Sequence, residues 1–410
     1  MSINHSPQIV TNGLLFYYDM NNYKSFWGEP TVNLTYNNGQ GGSEYLAASY
    51  TWTNSGTWTL NQNETDIEIP QISYSQRLPN NLRILSGMTL TTGSQHFGCG
   101  FTTISPSTQY TFSVWFRQNR AGSSVPYLRT NVNNNSLGNF SYNGSTDSST
   151  WPVNQWIRIS CTGTTQSNEN GLYLSNYIGS AIGDKIWYYG HQLEAKSYAT
   201  SLVAGTRSDT QALVDVTNQN TITASSLTYA SDGTFTIAGA SNYISITNSS
   251  NLRPSIELTI EYIIKGPTPG SWTPILGYGN GDYINGNYLV WVESGGTLNS
   301  LCRINNSGVT EYRQYPGYSI SNTDFQHMCF TMKIGDVIRS YRNGVDTNTP
   351  TSLPSGGTFY YGGTSSPYQI GGSGGTWLNA TVPLVRIYNR ALTSNEVLQN
   401  FNALKGKYNL

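Results

Sequence analysis

The sequence predicts an all-β protein built from antiparallel β-sandwiches, with a short helix at its carboxyl end. Composition is the first reason: charged residues make up 10 % of the 410-residue chain and aromatics 13 %, with 30 Tyr, 10 Trp and 42 Gly. Soluble proteins ordinarily carry about 25 % charged residues. The second reason is a series of short alternating apolar runs separated by Gly, Asn, Ser and Pro clusters, the pattern of sandwiches rather than of α/β folds. The third is that helical periodicity is convincing only near residues 393–406.

Gly13-Leu-Leu-Phe-Tyr-Tyr-Asp-Met20 reads as the first strand, and Gly28-Glu-Pro-Thr31 breaks it. Tyr110-Thr-Phe-Ser-Val-Trp-Phe116 alternates large and small residues, and Trp156-Ile-Arg-Ile-Ser-Cys161 places Cys161 as a buried strand thiol. In the run Ile256–Ile264, residues Ile256, Leu258, Ile260, Tyr262 and Ile264 share one face. Glu257, Thr259 and Glu261 share the other, which is expected to face solvent. Val337–Arg342 followed by Asn343-Gly344 and Val345 predicts a tight hairpin, because Asn-Gly tolerates the positive φ of a primed turn. At the carboxyl end Thr393-Ser-Asn-Glu396 is a capping box. Val397, Phe401 and Leu404 then form one helical face laid against a sandwich edge, with Gly406 as the expected stop.

At roughly 150 residues per domain the length implies two or three domains. A second break at Ala204-Gly-Thr-Arg-Ser-Asp-Thr210 encloses a domain-sized middle segment. Pattern leaves open whether modules lie in series or one is inserted in another. The formal charge is −1, so there is no basic face for nucleic acid, and the aromatic content excludes a disordered chain. Cys99, Cys161, Cys302 and Cys329 show no zinc spacing and are expected as free core thiols. Residues 1–10 lack the basic and apolar stretches of a secretory signal, and no apolar run approaches the ~20 residues of a membrane helix.

The residues also carry a resemblance. The run from Ile387-Tyr-Asn-Arg-Ala-Leu-Thr to Lys407 resembles the end of the laminin-G-like, concanavalin A-like jelly-roll domains of tailed-phage virion proteins. His5–Asp19 resembles the first strand of that domain, and Gly239–Ile246 and Ile370–Gly375 resemble its interior. The middle segment resembles the carbohydrate-binding-module-like β-sandwich of phage appendage and decoration proteins. It does so through Val32-Asn-Leu34, Tyr110–Trp115, Trp156–Ser160 and Trp187–Thr200. The resemblance favours insertion: a docking arm at 1–12, a discontinuous jelly roll at 13–30 plus 206–410, and a second sandwich at 31–205. It implies a virion structural protein, made in the host cytoplasm, that decorates the capsid or belongs to a neck, tail or fibre. Its expected partners are other virion proteins, copies of itself and host surface polysaccharide, without nucleic acid or membrane insertion.

Enzymatic chemistry finds little support. Retaining glycosidases on related sandwiches need two carboxyl groups about 5 Å apart. Glu257 and Glu261 are separated by about 13 Å of extended strand, with Thr259 between them. His5, His96, His191 and His327 have no recognisable nucleophile partner, and Gly371-Gly-Ser-Gly-Gly375 lacks the Lys of a phosphate cradle. The alternative to be kept is a glycan-degrading hydrolase or depolymerase on the same fold. For calcium, Asp19 beside Asn21 and Asn22 is the best local cluster, but it supplies one carboxylate where the ion wants several. No cofactor is expected. Glycan or partner contact would fall to loop-associated aromatics: Trp272, Tyr361 and Trp377.

Overall fold

A computed structural model describes residues 8–22, 24–32, 34, 53–54, 58–62, 85–90, 95–102, 104–122, 125–130, 136–169, 171–178, 183–203, 206–230, 234–239, 241–269, 272–278, 288–347, 349–362, 367–373 and 376–410. The chain divides into one unit of Met1–Glu29 plus Ser208–Leu410 and a second of Pro30–Arg207.

In the discontinuous unit, alternating apolar runs become two antiparallel sheets with a shared core. The first sheet runs Thr228–Tyr229, Phe235–Ala238, Asn379–Tyr388, Glu257–Lys265, Gln326–Lys333, Val337–Arg342, Val345–Asp346. Leu14–Asp19, from the far end of the sequence, pairs with Asn379–Tyr388 from Leu14↔Tyr388 to Asp19↔Leu384. The second sheet runs Ile222–Ser225, Tyr243–Ile246, Tyr368–Ile370, Thr273–Tyr278, Tyr288–Val292, Leu298–Asn305, Val309–Gln314. Leu258, Ile260 and Tyr262 of the first meet Ile244, Ile275, Val290 and Ile304 of the second in one buried cluster.

Among the described residues the inserted unit has two five-stranded sheets. One orders Ile157–Thr164, Gln109–Gln118, Lys185–Glu194, Leu85–Leu90 and Trp58–Gln62. The other orders Thr53–Asn54, Gln95–Thr102, Gly171–Ile178, Val125–Thr130 and Ser136–Asn139. Phe112, Val114, Phe116, Ile159 and Tyr188 fill the space against Leu128 and Leu172. Cys161 is a free buried thiol of that core, and burial pushes it up to about 12. Cys302 and Cys329 are likewise free and buried.

Local expectations meet the structure in instructive ways. Asn343 and Gly344 take φ of 50° and 77°, so the hairpin turn is the primed type. The helix spans Ser394–Tyr408; Thr393 and Glu396 satisfy each other's backbone amides as a capping box. Its stop is a correction: Gly406 lies within the helix, and Asn409, left-handed at φ 53°, ends it. Asn tolerates that region, so glycine was not required.

The strand near Glu261 needs a larger correction. It starts at Glu257, leaving Ile256 51 % exposed, and everything from Leu258 to Ile264 is buried. Alternation between core and solvent holds only where one face of a sheet is wet. Here the outward face is covered by the carboxyl-terminal helix and residues 8–12. Val10, Leu392 and Val397 pack on Cys329, Tyr341 and Tyr388, while Leu404 and Tyr408 pack on Ile263, Tyr17 and Leu384. Residues 8–12 of the expected docking arm are therefore laid on their own unit. Val10 N donates to Asn400 Oδ1 at 2.7 Å, and Gln399 Nε2 donates to Gln8 O at 2.6 Å. Residues 1–7, His5 among them, lie outside the described residues, as do Asn33, Ala240, Gly374 and Gly375 and the side chains of His96, Cys99 and His191.

Close packing makes one glycine a sensitive test. Gly371 has φ +100°, and a Cβ there would stand 2.3 Å from Ile237 Cγ2. Gly371→Ala is expected to destabilise the protein by about 2 kcal/mol or more, from backbone strain plus overpacking. Gly144→Ala shares the positive φ, +82°, but meets nothing within 4 Å, so it should cost only about 1 kcal/mol. Urea unfolding of the two variants side by side measures the difference.

Candidate functional site

The most concentrated chemistry lies between the first sheet and the helix. Glu261, His327, Arg386, Tyr388 and Asn400 are all fully buried there. Strand pairing aligns Glu261 with Arg386 on one side and Cys329 on the other. Glu261 Oε1 meets His327 Nε2 at 2.7 Å. Oε2 accepts from Asn400 Nδ2 at 2.9 Å, from Arg386 Nη1 at 3.3 Å and from the Tyr388 hydroxyl at 3.4 Å. Arg386 also lies over the Tyr17 ring, 4.5 Å from its centre. Burial opposes ionisation of Glu261, but the Arg386 charge and the His327 hydrogen bond outweigh it and hold the carboxyl below its usual range.

A carboxylate–histidine pair invites a catalytic reading, and the geometry withholds the other parts. The adjacent thiol, Cys329, is pushed well up by burial and by the Glu261 charge, the reverse of an activated nucleophile. Glu257, the other acid of the strand, pairs with Lys333 Nζ at 2.8 Å and accepts from Ala391 N at 3.1 Å. Its carboxyl is held low by Lys333. The expectation that both glutamates face solvent therefore holds for Glu257 and fails for Glu261. His327, read from sequence as without a nucleophile partner, pairs with the Glu261 carboxylate.

Asp19 is also buried and fully engaged. Oδ1 accepts from the Tyr408 hydroxyl at 2.5 Å and Asn21 N at 2.9 Å. Oδ2 accepts from the Tyr17 hydroxyl and from Lys407 Nζ, both at 2.8 Å. Four donors, one of them cationic, occupy the oxygens a calcium ion would need. Among the described residues no three His, Cys, Asp or Glu side chains converge as metal ligands.

The three aromatics singled out from sequence fall in different settings. Tyr361 packs against the main core and donates its hydroxyl to Pro254 O at 2.6 Å. Trp377 is half-buried on the two-residue strand Thr376–Trp377, paired with Gly372–Ser373. Trp272 stands on the outer face of the second sheet, 6.4 Å between ring centres from Trp291. Trp291 is in turn 6.1 Å from Tyr315, edge to face, and its indole donates to Glu293 Oε1 at 3.2 Å. Leu289 and Leu301 complete that cluster. Next to it Glu311 accepts from Arg313 Nε at 2.5 Å and Arg303 Nη2 at 2.8 Å, and Arg313 Nη1 donates to the Tyr315 hydroxyl at 3.3 Å. Asn299, directly opposite Trp291 in register, is buried with its Oδ1 unpaired. Trp291 buries its ring, whereas Tyr315 is 49 % exposed. Sequence reading missed Trp291, Asn299 and Tyr315. The signal was the unbroken Tyr288-Leu-Val-Trp-Val292, apolar on both faces.

Two consequences of the buried network are measurable. Glu261→Gln leaves Arg386 without its counter-charge, and a loss of about 3–5 kcal/mol in unfolding free energy is expected. The second concerns acid. Glu396 is held down to about 2, chiefly by its hydrogen bond with Arg390, and Glu261 is also lowered. Depressed carboxyls contribute stability that is complete above the unfolded value of ~4.3 and is lost as pH falls through the folded value. Stability should therefore decline from about pH 5 toward pH 2, and the decline should be shallower in Glu396→Gln, as thermal melts across that range would record.

One family profile matches part of the discontinuous unit. Residues 238–398 match the profile of the concanavalin A-like lectin/glucanases superfamily. No curated protein matches the chain. Among solved structures, a Trypanosoma rangeli sialidase is 17 % identical, with a TM-score of 0.34 over 46 % of this chain and 30 % of its own. The binding domain of Paraclostridial Mosquitocidal Protein 1 is 17 % identical, with a TM-score of 0.36 over 47 % of this chain and 49 % of its own. Domain 4 of AbnA, an extracellular arabinanase from Geobacillus stearothermophilus, is 18 % identical, with a TM-score of 0.32 over 45 % of this chain and 91 % of its own. The chain thus spans about a third of the sialidase and half of the mosquitocidal domain. The region 238–398 carries a concanavalin A-like sandwich.

Proposed function

We propose that this is a non-catalytic binding and assembly protein whose discontinuous unit holds glycan through the outer face of its second sheet. The observation that carries the reading is the half-buried Trp272 and the exposed Tyr315, both packed on the buried Trp291 and flanked by Glu293 and the Arg303–Glu311–Arg313 chain. Flat aromatic surface suits the C–H faces of sugars, and the flanking charged groups offer donors and acceptors to hydroxyls. An interface of this kind draws most of its energy from a few aromatic anchors, with polar groups at the rim. The match of residues 238–398 to the concanavalin A-like lectin/glucanases superfamily supports this reading.

Several observations support a role without bond cleavage. Glu261 is closed off from solvent and already ion-paired, and Glu257 is held by Lys333. The contact proposed needs no metal, consistent with an Asp19 carboxylate used by four donors. The wider setting proposed is the virion of a tailed bacteriophage, as capsid decoration or as part of a neck, tail or fibre. It rests on the sequence likeness around Ile387–Lys407 and on the low charge, which suits association through apolar area with other virion proteins and copies of itself. Synthesis would then be in the host cytoplasm, and the glycan would be a host surface polysaccharide.

A glycan array probed with the whole protein tests the binding reading. Retention of one polysaccharide class is expected, weakened about tenfold or more by Trp272→Ala or Tyr315→Ala. Release of reducing ends from a bound polysaccharide would overturn the non-catalytic assignment. Labelling the protein in imaged particles tests the virion setting.

A further inference from the structure

The second sheet of the discontinuous unit ends on an open edge. Its terminal strand, Val309–Gln314, pairs with Leu298–Asn305 from Asn305↔Val309 to Ser300↔Gln314 without a bulge. Along such a ladder, residues alternate between turning their peptide groups toward the partner and away from it. Thr358–Phe359 pairs with Ile304 and Asn305 on the flank opposite Val309–Gln314, and there Arg303 O accepts from Tyr360 N at 2.9 Å. Arg303 therefore turns its peptide groups away from Glu311, which stands across from it, and Glu311 turns its own outward. By the same alternation Val309 and Arg313 face outward.

Among the described residues, one contact reaches these outward groups: Thr351 Oγ1 lies 2.9 Å from Arg313 O. That hydroxyl has a single hydrogen, and Gln314 Oε1 is nearer, at 2.6 Å, so Arg313 O keeps accepting capacity. Sheet edges are ordinarily blunted by proline, lysine, a bulge or a covering segment. Val309-Thr-Glu-Tyr-Arg-Gln314 contains neither proline nor lysine. Its outer-face side chains are unusual as well. Val309 and Tyr315, at its two ends, are each 49 % exposed. Between them Arg313 spends Nε on Glu311 and Nη1 on the Tyr315 hydroxyl, which leaves Nη2 for a further acceptor.

This pattern is complementary to itself. Laid antiparallel against a second copy and centred on Tyr312, the strand sets Glu311 across from Arg313 of the second copy, and Arg313 across from Glu311. Their outward peptide groups then face each other as hydrogen-bonded pairs. The same register sets the exposed Val309 across from the exposed Tyr315. Centring on Glu311 would oppose two carboxylates, and centring on Arg313 two guanidiniums, both of which cross-strand pairing penalises. We propose that Val309–Gln314 is a homotypic docking edge, where two copies of this chain join their second sheets antiparallel about Tyr312. It supplies a surface for the self-association in the assembly reading and does not require that the aromatic face hold glycan. A contact of one short strand per copy belongs with small, transient interfaces, so association between micromolar and millimolar concentration is expected.

The test is sedimentation velocity of the full-length protein, without saccharide, across that concentration range. A reversible monomer–dimer equilibrium is expected. Glu311→Pro removes an outward N–H that its own sheet does not use and should weaken association about tenfold or more. Glu311→Arg and Arg313→Glu each oppose like charges in the homodimer and should each weaken it about tenfold. Mixed one to one, those two variants regain unlike pairs and should associate again. Thermal melts show which variants fold. If one does not, amide hydrogen exchange over residues 309–315 of the native protein decides, and it should slow as protein concentration rises. A monomer at millimolar concentration, undiminished association in folded Glu311→Pro, a mixture no tighter than its components, or exchange independent of concentration would each overturn the proposal. Trp272→Ala should leave the equilibrium unchanged while weakening retention on the glycan array, so the two readings fail separately.

Discussion

An ionised carboxylate cannot sit between a β-sheet and a helix without partners, and Glu261 shows how this protein meets that constraint. Its hydrogen-bond and charge partners come from separate stretches of chain: His327 from one neighbouring strand, Arg386 and Tyr388 from the other, and Asn400 from the helix. Asn400 and Tyr388 in turn hold the backbone of Val10. Apolar packing would let the helix slide or rotate over a greasy sheet at modest cost. A buried charge with directional partners does not, because each displacement strands a polar group. The positions of the helix and of residues 8–12 on the first sheet follow from this single group.

Closing that face distinguishes the two sheets of the discontinuous unit. The discontinuous unit presents its second sheet as the surface with aromatic and charged side chains, while the first is sealed by the chain's own termini. The thiols reinforce this division of roles. Cys302, pushed up to about 12 by burial, and Cys329, adjacent to Glu261, are inert core groups. Asp19 and Asp215 serve the architecture in the same manner. Asp215 accepts from Tyr17 N, the Thr217 hydroxyl and Asn220, tying the first strand to the segment that resumes the unit after the insertion. The acids that look most chemical in this unit are each held by several hydrogen-bond partners.

The inserted unit uses the same physics with a different outcome. Its Glu194 is surrounded by Thr31, Gln192 and Thr200 and resembles Glu261 in being buried and fully paired. A few register positions away, the donors of Trp115, Arg117 and Arg158 are left over.

The all-β class, the primed turn at Asn343-Gly344, the capping box at Thr393–Glu396 and the buried thiol of Cys161 were legible in the sequence. Each depends on residues close together in the chain, where φ preferences, capping chemistry and strand periodicity act locally. Trp272 could be named from its loop, but its partners Trp291 and Tyr315 could not. Glu261 and Glu257 look alike in sequence, and Asn409 gives no more sign of ending the helix than Gly406 does. Those distinctions depend on which sheet face is covered and by what. Coverage brings together residues nearly 400 positions apart, such as Val10 and Asn400, and no local pattern records it. Sequence determined the elements and their amphipathic faces; the tertiary structure decided which faces stay open, because burial belongs to the packed whole.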